Sequence, residues 1–151
     1  MALRDATHED FRALLEQHHG KFVFVDFWAS WCGNCMEEFP HTVELAKKYP
    51  DRLAVISVAM ELDPTDAGTR QAVLDFLTKQ GADFDNLLYT ADGTTEEAMA
   101  GFQIDAGSAL PYFQLYDRDG KLLQSFTYSD PRHPIAREDI DAAVEAALAG
   151  R

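Results

Sequence analysis

The segment that most limits what this chain can fold into is the apolar run FVFVDFW at residues 22–28. It is apolar on odd and even positions alike, with one exception, which is typical of a central sheet strand covered on both faces. The exception is a carboxylate, Asp26, and the chain's two cysteines, Cys32 and Cys35, follow shortly after the run. The segment therefore predicts a sheet with helices on both sides, and an acid buried just before a pair of thiols.

The rest of the chain alternates between strand-like and helix-like patterns. Thr7 followed by Asp10 predicts the capped start of a first helix. The segment after Cys35 is helical in pattern, and Pro40 predicts a kink or break in it. Further strands are predicted in RLAVISVAM and NLLYT, helices in DAGTRQAVLDFLTKQGA (with Val73, Leu74 and Leu77 inward) and TTEEAMAGFQI, a hairpin around Asp119-Gly120, and a final Ala-rich helix.

This order of elements indicates an α/β fold, a central mixed sheet flanked by helices. The length of 151 residues is that of one domain, so residues 1–151 are expected to form a single unit. The formal net charge of −13 argues against nucleic acid or anionic membrane surfaces as partners. No apolar run is long enough to cross a bilayer, and the first residues lack the pattern of a secretory signal.

The two cysteines lie where the strand ends and a helix is predicted to begin. Free N–H groups and the positive end of the helix dipole stabilise a thiolate on the first cysteine there. The second thiol, three residues on, is close enough to attack a mixed disulfide on the first, which suits reversible dithiol–disulfide exchange. Half of a zinc site and an inert buried pair remain as alternatives. No second C-x-x-C is present, however, and the histidines show no ligand spacing with this one.

The segment FVDFWASWCGNC resembles the active-site segment of the thioredoxin superfamily, and CMEEFP after it resembles that of the TlpA/ResA-like thiol-disulfide oxidoreductases. Several of these serve bacterial cytochrome c maturation. ALPYFQLYDRDGKLL is similar to the superfamily's cis-proline segment and the following hairpin. Residues 61–100 resemble the additional strand and helix that this branch inserts before that segment. The resemblance thus implies a thioredoxin-like fold over most of the chain.

The resemblance also implies roles for individual residues. Cys32 would be the nucleophile, Cys35 the resolving thiol, and Asp26 the proton acceptor that assists Cys35; an aspartate merely satisfied by hydrogen bonds is the alternative. A cis Leu110–Pro111 bond beside the cysteines would leave the Leu110 backbone free to pair with substrate. Trp28 is expected in the core and Glu38 on a solvated helix face. The expected substrate-binding residues are Trp31, Gly33, Asn34, Leu110 and Pro111.

Two departures from the family pattern lie close to the predicted site. Gly33-Asn34 replaces a dipeptide that usually contains proline, which restores a backbone N–H near the thiols and leaves the direction of electron flow open. Tyr112 stands where a threonine usually follows the cis-proline, and a bulky phenol there is expected to narrow the substrate groove. Of the two directions of electron flow, reduction of substrate disulfides is preferred over their oxidation.

The leading hypothesis is a monomeric oxidoreductase that needs no cofactor or metal and exchanges disulfides with protein substrates and an unidentified partner reductase. A thiol peroxidase is disfavoured because Ala29 stands where those enzymes have threonine. A non-enzymatic interaction or Cu(I)-carrier module is the other alternative, and His41 is its candidate third ligand. The resemblance favours an extracytoplasmic location with a leader missing from this chain, whereas the sequence read literally is compatible with the cytosol.

Overall fold

The computed structural model describes residues 2–127 and 137–150, which form a six-stranded mixed sheet with helices on both faces. The predicted α/β architecture, a central mixed sheet flanked by helices, is confirmed. The strands are β1 (Leu3–Ala6), β2 (Phe22–Trp28), β3 (Leu53–Ala59), β4 (Asp85–Tyr89), β5 (Tyr112–Tyr116) and β6 (Leu122–Thr127). The helices are α1 (His8–Gln17), α2 (Gly33–Lys48), α3 (Ala67–Gln80), α4 (Thr95–Gly101) and α5 (Arg137–Ala149).

The strand order is β1-β4-β3-β2-β5-β6, which places β2 and β3 at the centre. β2 and β4 run parallel to β3, and β1 runs parallel to β4. β5 is antiparallel to both β2 and β6. All seven residues of β2 are buried, as its apolar pattern predicts. Because β2 and β3 are parallel, both end at the same edge of the sheet, which is the edge where the cysteines lie.

Successive residues of β2 point to opposite faces of the sheet. Val23, Val25 and Phe27 belong to an apolar cluster with residues of α1 and of the segment around α4. Phe22 and Phe24 pack with residues of α2 and α5, and Trp28 with residues of α2 and α3. By this alternation Asp26 lies on the same face as Phe24 and Trp28, beneath α2.

Three details differ from the pattern-based expectations. β1 is not evident in the sequence, because it is a four-residue edge strand with mostly exposed side chains. Of the kink or break expected at Pro40, the break is absent: α2 is continuous there, since buried residues on both sides, Phe39 and Thr42, hold it against the sheet. Leu74 is only partly buried, whereas Val73 and Leu77 face the core as predicted.

The helix caps follow the sequence closely. Thr7 and Asp10 form a reciprocal capping box at the start of α1.

No helix within residues 2–127 and 137–150 combines the length and the apolar character needed to span a membrane.

Candidate active site

The site begins where β2 passes into α2. Cys32 is the N-cap residue of α2, in an extended conformation, and Cys35 lies in the first turn of the helix. The two cysteines form a disulfide, with Cα atoms 5.3 Å apart. Cys32 is 8% exposed and Cys35 is fully buried. The first cysteine is therefore the one that a substrate can reach, and the second is sheltered behind it.

The helix N-terminus acts directly on the Cys32 sulfur. The backbone N–H of Cys35 donates a hydrogen bond to Cys32 Sγ over 3.2 Å. A donor in this position stabilises a thiolate more than a thiol, and the helix dipole acts in the same direction. The arrangement thus favours the nucleophilic form of Cys32 once the disulfide is reduced.

Asp26 is a residue of β2, and its side chain is fully buried beneath α2. Its Oδ2 accepts a hydrogen bond of 2.7 Å from the Thr42 hydroxyl of α2, while its Oδ1 has no hydrogen-bond partner among the described residues. Burial raises the pKa of Asp26 from 3.8 to about 7, against the lowering effect of the Thr42 hydrogen bond. Asp26 is therefore an acid that can change protonation state near neutral pH.

Glu38 also influences this carboxyl. Its negative charge is a further, smaller cause of the raised pKa of Asp26. Its side chain is 23% exposed and pairs with the Arg137 guanidinium of α5 over 3.1 Å. Glu38 is therefore partly exposed and ion-paired rather than fully solvated, because Arg137 of α5 lies beside this part of α2.

The Leu110–Pro111 peptide bond is cis, which confirms that prediction. The carbonyl oxygen of Leu110 lies 3.7 Å from Cys32 Sγ, although 78 residues separate them in the chain. Leu110 itself is partly buried and Pro111 is buried. The structure thus brings this segment beside the reactive sulfur, as the resemblance implied.

The aromatic predictions have mixed outcomes. Trp28 is fully buried against Phe39 of α2, at a ring separation of 5.3 Å, whereas Trp31 is 55% exposed beside Cys32. Tyr112 does not narrow the substrate groove. It is 1% exposed and packs against Phe27 in the cluster on the opposite face of the sheet. The physical reason is strand parity, which turns Tyr112 away from the cysteines.

The remaining predicted residues and the metal alternative can be placed as well. Gly33 and Asn34 are exposed in the first turn of α2, between the two cysteines. His41 is buried and pairs with Asp141 of α5 over 2.7 Å. No group of three or more His, Cys, Asp or Glu side chains within residues 2–127 and 137–150 is arranged to hold a metal ion.

Sequence reasoning missed two residues that shape the site. Thr42 is seven residues after Cys35, two helical turns along the same face of α2, and this spacing was the available signal. Glu61 follows β3, and its carboxylate accepts hydrogen bonds from the Ser30 N–H over 2.7 Å and from the Ser30 hydroxyl over 2.6 Å. The signal for Glu61 was its position after a strand that ends at the same sheet edge as β2.

Comparison with known proteins agrees with this geometry. The thioredoxin family model matches residues 2–76, which include β2 and both cysteines. The thiol-disulfide oxidoreductase ResA of Bacillus thuringiensis (strain Al Hakam) is 31% identical over 110 residues, covering 73% of this chain and 57% of that protein. This chain therefore spans little more than half the length of such curated relatives.

Solved structures show the same fold. A secreted Mycobacterium tuberculosis disulfide oxidoreductase homologous to E. coli DsbE has a TM-score of 0.61 and 25% identity, covering 87% of this chain and 85% of that chain. A thiol-disulfide isomerase from Corynebacterium glutamicum has a TM-score of 0.71 with 18% identity, covering 88% of this chain and 84% of that one. With its C-x-x-C pair at the start of α2, its match to the thioredoxin family model over residues 2–76 and its ResA relatives, the chain contains a thioredoxin-family domain and is related to ResA-type thiol-disulfide oxidoreductases.

Proposed function

We propose that this protein is a thiol-disulfide oxidoreductase that reduces disulfides in protein substrates through Cys32 and Cys35. The observation that carries the proposal is the placement of Cys32 Sγ at the N-cap of α2, where it accepts the Cys35 N–H and is the more exposed of the two sulfurs. A sulfur with these donors is suited to attack as a thiolate.

In the first step the Cys32 thiolate of the reduced protein attacks one sulfur of the target disulfide. A bond forms between Cys32 Sγ and that sulfur, the target disulfide breaks, and the other target sulfur leaves as a thiolate. We assign substrate binding to Trp31, Gly33 and Asn34, which are exposed and neighbour the cysteines in the chain, and to the Leu110-Pro111 segment beside Cys32. This step consumes no electrons from outside the two molecules.

In the second step Cys35 loses its proton and attacks Cys32 Sγ. The Cys32–Cys35 disulfide forms, the second target sulfur leaves, and two electrons have passed to the target. We assign Asp26 as the group that accepts the Cys35 proton. This role is supported by its burial beneath α2 on the cysteine side of the sheet and by its pKa of about 7, which keeps a substantial fraction ionised at neutral pH.

The physiological setting is part of the proposal. A partner reductase returns two electrons to the Cys32–Cys35 disulfide after each cycle. We propose that the protein acts outside the cytoplasm, and the secreted M. tuberculosis protein of similar structure supports this location. We further propose that residues 1–151 act as one domain and as a monomer. We propose the reductase direction, which the equilibrium potential of the Cys32–Cys35 pair tests.

The proposed activity is tested by insulin reduction with dithiothreitol as electron source, comparing the wild type with Cys32→Ser and Cys35→Ser. Cys32→Ser is expected to abolish the acceleration because no nucleophile remains. Cys35→Ser is expected to accumulate a mixed disulfide on Cys32, visible as a mass increase that excess dithiothreitol reverses. An equal residual rate in wild type and Cys32→Ser would contradict the proposal. The equilibrium potential of the pair against glutathione then decides the direction of electron flow.

A further inference from the structure

A largely apolar groove of about 370 Å³ opens beside the reactive sulfur. One of its walls is Leu110, whose carbonyl oxygen lies 3.7 Å from Cys32 Sγ, and another is Trp31, the residue before Cys32, so the groove lies next to the reactive sulfur. Other parts of it come from the loop after β3, the end of β4 and α4. Its large apolar side chains are Trp31, Met60, Leu62, Tyr89, Met99 and Leu110.

Two large apolar side chains at the rim of this groove are exposed to solvent. Leu62 is 84% exposed and Trp31 is 55% exposed, and they are two of the three exposed large hydrophobic side chains among the described residues. Both line the groove. Apolar side chains concentrated beside a cleft are typical of a surface that is covered by a partner during function.

The groove also carries a defined charge. Among the described residues that line it, Glu61 is the one acidic side chain, and none is Lys, Arg or His. Tyr89 stays neutral, because burial raises its pKa above the ordinary value of 10.0. The Glu61 carboxylate is held by two donors from Ser30, at 2.7 and 2.6 Å, which fix its position without neutralising its charge. A carboxylate can accept more than two hydrogen bonds, so it can also receive a cation.

We propose that the groove selects protein substrates whose reacting cysteine is followed or preceded, within a few residues, by an apolar side chain and a Lys or Arg. The apolar side chain occupies the groove against Leu62, Trp31 and Met99, and the basic side chain pairs with Glu61. This inference rests on the proposed function, because the groove meets the substrate at Cys32. The covalent chemistry is the same exchange described above.

Charge complementarity is what singles out a basic segment. One uncompensated carboxylate beside an apolar surface attracts a cation and repels an acid, and the chain's net charge of −13 adds to both effects. Such charges govern discrimination between partners more than absolute affinity. The expected signature is therefore a ratio of rates between two substrates.

The test uses three synthetic peptides, each carrying one cysteine as a mixed disulfide with glutathione. The first has Leu and Lys near the cysteine, the second has Leu and Glu, and the third has Ser and Lys. Reduction by the wild-type dithiol form is expected to give kcat/KM at least fivefold higher for the Leu–Lys peptide than for either of the others. A difference below twofold would overturn the inference.

The Glu61→Gln variant isolates the charge. The Gln amide can keep both contacts with Ser30, because its oxygen accepts the N–H and its NH₂ donates to the hydroxyl oxygen. The Lys-over-Glu ratio is expected to fall below twofold. Any change in Cys32 reactivity cancels in this ratio, since both peptides react with the same sulfur. Leu62→Ser is expected to lower the Leu-over-Ser ratio and to leave the Lys-over-Glu ratio unchanged.

Glu44→Gln is the matched control. Glu44 is an exposed acid of α2 outside the groove, about 14 Å along the helix axis from Cys35. Its removal changes the net charge equally and is expected to keep the wild-type ratios. A Glu61→Gln variant with wild-type ratios, or an equal loss in Glu44→Gln, would overturn the role of Glu61. Absence of exchange even with glutathione disulfide would instead contradict the proposed function itself.

Discussion

The two faces of strand β2 have different surroundings. On the face covered by α1 and α4, Val23, Val25 and Phe27 meet an apolar and aromatic cluster. On the face covered by α2, Asp26 shares the strand with Phe24 and Trp28, and it meets a hydroxyl and a helix that begins with two cysteines. One face is devoted to packing, and the other accepts an energetically unfavourable group where the candidate chemistry lies.

The difference shows how a stable core can be combined with a reactive site. Fully apolar packing on the first face gains free energy from burial and has no titratable group at β2. The second face contains an acid whose ionised form is disfavoured by burial, so stability there depends on pH. Substitutions of the adjacent residues Asp26 and Phe27 are therefore expected to change the free energy of unfolding in opposite directions.

The largest effect is expected for Phe27→Ala. Phe27 is fully buried and contacts the rings of Phe11, Phe102 and Tyr112. Deleting the ring leaves a cavity and should reduce the free energy of unfolding by about 3–5 kcal/mol, independently of pH. Urea unfolding at pH 5 and pH 8 measures this. A loss that varies strongly between the two pH values would break the proposed division between the faces.

Asp26→Asn should have the opposite effect on stability above neutral pH. The folded-state pKa of about 7 lies above the ordinary 3.8, so the native state binds more protons than the unfolded state between these values. Wild-type stability is therefore fully present below pH 3.8 and falls as pH rises to about 7, by up to roughly 4 kcal/mol. Asparagine removes this loss, so the oxidised variant should gain stability over wild type from pH 4 to pH 8. An equal difference at both pH values would contradict the raised pKa.

The same variant should lose activity where it gains stability. Without a proton acceptor at position 26, release of the mixed disulfide by Cys35 is expected to slow at least tenfold at pH 7, equivalent to about 1.4 kcal/mol in the barrier. Single-turnover kinetics with a preformed mixed disulfide on Cys32 isolates this step. The deficit should shrink as pH rises and Cys35 ionises without assistance. A wild-type rate at pH 7 would leave Asp26 with a purely structural role.

The smallest effect is expected for Thr42→Val, which removes the hydrogen bond to Asp26 with little change of shape. Because that bond lowers the pKa of Asp26, its loss should move the pKa above about 7 and shift the pH dependence of mixed-disulfide release upward. The cost in stability is expected to be about 1 kcal/mol. Infrared titration of the Asp26 carboxyl measures the shift, and a downward shift would contradict the described contact.

Much of the architecture could be predicted from the sequence, because local patterns and covalent neighbours determine it. The apolar run at Phe22–Trp28 predicts a strand covered on both faces, and Thr7 with Asp10 predicts a capping box. The edge strand β1 escapes such reasoning, since a short strand with exposed side chains has no apolar period. The absence of a break at Pro40 escapes it as well, because packing of the buried neighbours outweighs one missing hydrogen bond.

Covalent order alone puts an acid and two cysteines at one strand–helix junction, and strand parity puts Asp26 on the face of Trp28. The groups that surround them come together only through folding. Thr42, Glu61 and Leu110 reach the junction from 16, 31 and 78 residues away, measured to their respective partners Asp26, Ser30 and Cys32. The ends of the parallel strands β2 and β3 and the start of the antiparallel strand β5 meet at one sheet edge, and α2 packs over it. Burial between these packed layers, which no local pattern encodes, raises the pKa of Asp26.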